Sequence, residues 1–138
     1  MPRARTVFGL ATAFAVCWLG GLILGEYPFT GFTPVIGGFL LGVSAVSAAA
    51  HVEGEDPPAW AIVAAGLLAV WGIWRAAWID AGADNTAFGM FPQHGSGPLP
   101  NEATWAMVAA AAGAAIRLIP APQRAAADPD DAEDDPQD

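Results

Sequence analysis

The sequence predicts an all-α integral membrane protein: a four-helix bundle, up-down-up-down, followed by a disordered acidic C-terminal tail. Three observations predict it. All fourteen acidic residues of the 138 fall outside four acid-free stretches, residues 1–25, 27–52, 57–79 and 103–127, in the gaps between them or after the last. A carboxylate at mid-bilayer costs about 2.5–3.5 kcal/mol, and four buried spans would exclude acids in this way. Each stretch also holds an apolar run near the length that crosses ~30 Å of hydrocarbon at about 1.5 Å per residue. Finally, the gaps between them carry the proline, glycine and polar residues that end helices.

The first span is expected over about 5–24. Gly25-Glu26 ends it and Pro28 prevents its continuation. Arg3 and Arg5 precede the apolar region, as in a secretory leader. The run 6–24 is too long for the usual leader core, however, and no A-x-A site follows, so a retained span is expected. Cys17 is the only cysteine, which excludes an intrachain disulfide and any CxxC pattern. Val16 before it and the apolar run after it do not suit a lipid-attachment site, so a buried inert thiol is expected.

Span two, about 34–52, opens where Thr33 can cap and Pro34 can take the first helical position. Span three, about 59–79, follows Asp56 and Pro57-Pro58 and runs to Asp80. Span four, about 103–119, is framed by Asn101 and Pro120. Its centre is mostly alanine, which inserts less readily than leucine and favours tight packing on neighbours. Residues 1–124 thus form the membrane domain and 125–138 the tail. The tail carries seven of the fourteen acids and no base, so it cannot form a core and should project away from anionic lipid.

Arginine placement predicts orientation. Four spans put Arg3, Arg5, Arg117 and Arg124 on one side and leave only Arg75 near the other, so both termini are expected in the cytoplasm of a cell (inner or plasma) membrane. Trp60, Trp78 and Trp105 lie near span ends, where an amphipathic ring is half wet. The chain has no lysine, and its abundant alanine, glycine and proline have GC-rich codons, which points to a bacterial source.

Small residues recur at four-residue spacing: Gly21/Gly25, Gly38/Gly42, Ser44/Ala48, Ala65/Ala69 and Ala109/Gly113. In lipid, close backbone approach must hold helices together, so these are the expected packing faces. Arg75 is the most unusual residue. Trp71, Trp74 and Trp78 surround it in sequence, and helical spacing puts Trp71 and Trp78 on its face. The expectation is an interhelical polar site of Arg75 with Glu26 or Asp80, or an arginine that snorkels to headgroup phosphate.

Other polar residues carry less. The connection 26–34 holds Glu26, Tyr27, Phe29 and Phe32, read as interface anchors. Asp84, His94 and Glu102 in the longer connection, and His51 with Glu53, Glu55 and Asp56, do not have metal-ligand spacing.

No nucleophile–base pair or cofactor motif emerges, so neither an enzyme nor a cofactor is expected. Small multidrug-resistance transporters need an acid in the first span and disulfide-forming enzymes need cysteine pairs; this chain has neither. Nor do the helical Asn, Phe and Gly-Arg signatures of fluoride channels occur. What remains is a small multi-pass membrane protein acting as an accessory or structural subunit. Its partners would be the lipid bilayer, itself or other membrane proteins, and not nucleic acid. The alternative is a small homo-oligomeric channel or transporter with Arg75 near its outer vestibule. Against that, the spans offer no acid, mid-depth histidine, asparagine or glutamine to line a polar path.

Overall fold

The computed structural model describes residues 2–27, 29–53, 58–82 and 101–119. The acidic tail and most of the long connection, with Asp84 and His94, lie outside them. The described chain is all helical: α1 Pro2–Gly25, α2 Thr33–Glu53, α3 Ala59–Asp80 and α4 Asn101–Ala115, with a single 3₁₀ turn at Ile116–Leu118.

Local chemistry explains the helix ends. Between α1 and α2, Gly31 takes φ 65°, a conformation open to glycine without cost. Pro58, extended at ψ 146°, opens α3, and its carbonyl accepts from the Ala61 amide at 2.8 Å. Beyond α3, Ala81 donates back to the Ala77 carbonyl and Gly82 turns the chain at φ 80°. After the 3₁₀ turn, Ile119 is extended at ψ 118°. Pro120 follows it, and a residue before proline is pushed out of the helical region.

Three helices are long and apolar enough to cross a membrane, over Ala4–Gly25, Thr33–His51 and Ala59–Asp80. The fourth differs from expectation. Only 15 residues are α-helical, so α4 is about 22 Å long, and the 3₁₀ turn adds about 6 Å.

Helix α1 packs on α2 and α3, α4 also packs on α2 and α3, and α2 and α3 touch each other. Contacts give the directions. Gly9 meets Ala49 while Gly20 meets Leu41, so α1 and α2 are antiparallel. Phe14 meets Trp71 and Gly25 meets Ile79, so α1 and α3 run the same way. Gly38 meets Ala106 and Gly42 meets Ala110, so α2 and α4 also share a direction.

Side-chain size, rather than polarity, decides what lies inside. The buried stripe of α1 is Gly9, Ala13, Cys17, Gly21 and Gly25, a small residue at every fourth position. Twelve of the eighteen buried hydrophobic residues are alanine, while Phe8, Leu19, Ile23, Ile36, Leu40, Trp60, Leu67 and Trp105 point outward. Water would favour the reverse arrangement, because burying large apolar groups drives folding there. In hydrocarbon the outward groups cost nothing, and small inward faces let helix backbones approach closely.

That approach is close enough to leave no space for a methyl group. A Cβ on Gly21 would stand 2.7 Å from the Gly72 carbonyl oxygen, and one on Gly25 2.8 Å from the Ile79 Cβ. Carbons added at Gly38, Gly42 or Gly113 would collide with the carbonyls of Ala106, Ala110 and Phe39. Ala109 is only half-buried; Ala106 and Ala110 take the glycines of α2 instead. Leu41 is the larger plug, lying against both Gly20 of α1 and Gly72 of α3. Phe29 is 3 % exposed and belongs to the core, whereas Tyr27 and Phe32 beside it are exposed.

Because the Gly42 contact is backbone to backbone, Gly42→Val should destabilise the fold by about 2 kcal/mol or more, the scale of overpacking. The outward Leu67→Ala should stay within about 0.5 kcal/mol, as exposed substitutions do. Unfolding by graded SDS in mixed micelles measures both.

Candidate functional site

Helical spacing prepares a matched pair of faces. Phe14 and Trp18 are one turn apart on α1, and Trp71 and Arg75 are one turn apart on α3. Since α1 and α3 run the same way, the two pairs meet rung for rung. Phe14 stacks on Trp71 with centroids 5.4 Å apart and planes 17° from parallel. The Arg75 guanidinium carbon lies 5.3 Å from the Trp18 ring centre and 5.8 Å from that of Trp71. Its Nη1 donates to the Trp18 carbonyl at 3.2 Å.

Arg75 is fully buried, at 0 % exposure. It lies five residues before the end of α3, about 7.5 Å along the axis. The snorkelling expectation therefore fails in geometry: the side chain turns toward α1 instead of lying along the outer surface. An aromatic face attracts a desolvated cation by about 2 kcal/mol and a charge-assisted hydrogen bond adds about 1.5–3 kcal/mol. Two rings and one carbonyl are thus of the size needed to offset a charge in hydrocarbon, about 2.5–3.5 kcal/mol at mid-depth.

The other expected members of the site lie elsewhere. Glu26, in the turn after α1, and Asp80, the last residue of α3, are both exposed, and neither carboxylate pairs with Arg75. Trp78 meets Trp74 edge to face, 6.5 Å between centroids and 75° between planes. Its indole N–H is buried and meets no acceptor among the described residues. Trp18 is the residue that reading α3 alone misses. The signal that finds it is the one-turn aromatic spacing Phe14/Trp18, which mirrors Trp71/Arg75.

Chemically, a guanidinium is a permanent cation and pure donor, so it cannot act as a base. Cys17 is buried and unbridged, His51 is exposed, and among the described residues no three His, Cys, Asp or Glu side chains gather as a metal centre requires. The cluster of Phe14, Trp18, Trp71 and Arg75 joins α1 to α3.

Arg75→Leu should lower the resistance of the protein to SDS unfolding, while Arg117→Leu, in the exposed 3₁₀ turn, should leave it unchanged. Equal, negligible effects would remove Arg75 from any structural or functional role.

Compared with protein-family models, curated proteins and solved structures, the chain matches none.

Proposed function

We propose that the chain is a small, non-catalytic multi-pass protein of the cell membrane, an accessory or structural subunit. In this reading four helices span the bilayer up-down-up-down and both termini lie in the cytoplasm. One observation carries it: the interior is filled by helix backbones in contact through glycine and alanine, while large apolar residues face outward. An outward face of this kind suits lipid or another membrane helix.

Direction also supports four spans. Helix α4 lies along α2 in the same sense, so a fourth crossing returns the chain to the side where α1 began. The arginine distribution then puts that side in the cytoplasm. The 3₁₀ turn brings α4 to about 28 Å, close to the ~30 Å of a hydrocarbon layer.

A channel or transporter built from several copies is the competing reading. It would place its path between copies, since the Arg75 side chain is buried and donates to the Trp18 carbonyl within one copy.

Purification from native membranes in mild detergent, followed by intact-complex mass measurement, distinguishes the two. Foreign subunits at fixed stoichiometry are expected; a symmetric homo-oligomer that passes ions in proteoliposomes would overturn the accessory reading. Topology is tested on single cysteines in a Cys17→Ala background. An impermeant maleimide on intact cells should label Thr30→Cys, whereas His51→Cys and Asp138→Cys should label only after permeabilisation. Labelling of Asp138→Cys from outside would exclude four spans with cytoplasmic ends.

A further inference from the structure

We propose that Arg75 sets the register of α1 on α3. The need for such a device follows from the packing faces. Every fourth residue of α1 from Gly9 to Gly25 is small and buried; Gly9 meets Ala49 of α2, while Cys17, Gly21 and Gly25 meet Gly72, Ala76 and Ile79 of α3. Sliding α1 by one turn, about 5.4 Å, again sets small residues against that helix. Dispersion between small faces discriminates poorly between the two alignments. In hydrocarbon no difference in apolar burial helps to choose either.

The aromatic rungs are not periodic. Moved one turn in one direction, α1 brings Leu22 to where Trp18 stands and leaves Arg75 against an aliphatic side chain. Moved in the other, it puts Phe14 beside the cation and Leu10 against Trp71. Tryptophan is the strongest cation–π partner, so either shift weakens the contact that compensates the buried charge. A backbone carbonyl recurs at every turn of α1 and cannot mark the register, so the rings do. A buried polar group that selects one alignment among several apolar ones is the best-attested use of such groups.

Helix α3 therefore contributes a single non-repeating feature to an otherwise repeating interface. The inference does not depend on what the protein assembles with, because it concerns one copy.

Cysteine cross-linking in the Cys17→Ala background tests it. The pair Gly25→Cys/Ile79→Cys reports the observed register, since a Cβ at Gly25 falls 2.8 Å from that of Ile79 and a small relaxation brings it to bridging distance. The pair Gly21→Cys/Ile79→Cys reports a slide of one turn. With Arg75 present the first pair should dominate. In Arg75→Met, and in Trp18→Leu, which keeps the charge, the ratio of first to second should fall about tenfold or more, the scale of losing a desolvated cation–π contact. Should Arg75→Met fail to accumulate, Trp18→Leu decides, because it retains the cation on α3 and removes only the ring. An unchanged ratio in the variants that accumulate overturns the proposal.

Discussion

Contact distance is the constraint on which this fold depends. In hydrocarbon, apolar side chains gain nothing by leaving the solvent, so helices adhere only as far as their atoms touch. Touching over a long line requires that nothing large intervene. The buried stripe Gly9, Ala13, Cys17, Gly21, Gly25 on α1 meets that requirement, as do Gly38 and Gly42 on α2 and Ala106, Ala110 and Gly113 on α4. Large residues are then used as isolated plugs: Leu41 between α1 and α3, and Phe29 beneath the connection that joins α1 to α2.

Such an interface is strong in sum and weak in discrimination, which is why Arg75 matters beyond its own energy. Most residues of the core could exchange neighbours one turn away without changing character. The guanidinium between Trp18 and Trp71 could not. A shift of one turn would take Trp18 away from the guanidinium, so one polar side chain gives direction to a surface of repeating small residues. The same contacts hold the Arg75 side chain, at 0 % exposure, between α3 and α1.

Much of the fold was legible because the signals were strong and local. Acid-free stretches marked the helices, the Gly25-Glu26 step marked where α1 stops, and Thr33-Pro34 and Pro57-Pro58 marked where α2 and α3 begin. The length of α4 was less legible, because alanine favours helix without saying where lipid begins, and the last residues before Pro120 tighten into a 3₁₀ turn. Which face of each helix turns inward was harder still. Both faces are apolar, so polarity carries no information and only residue size does. Of the small residues at four-residue spacing, Gly21, Gly25, Gly38, Gly42 and Gly113 are buried, Ser44 is exposed, and Ala109 is half-buried beside the buried Ala106 and Ala110. At the candidate site, the depth of Arg75 could be read along α3, but its partner lay on a helix 57 positions away, beyond the reach of spacing within one helix.

The unequal helix lengths act on the surrounding lipid. Helix α3 extends about 33 Å and α4 only about 22 Å, and the two lie side by side. Acyl chains facing α4 meet a shorter apolar wall than those facing α3, so one leaflet must dip beside it or headgroups must descend to the 3₁₀ turn. Such mismatch costs a fraction of a kcal/mol per ångström and sorts proteins among bilayers of different thickness. In the proposed four-span arrangement the lipid annulus would therefore be lopsided, thinned along the flank of α4, and a neighbour with an equally short helix would relieve that deformation by settling there.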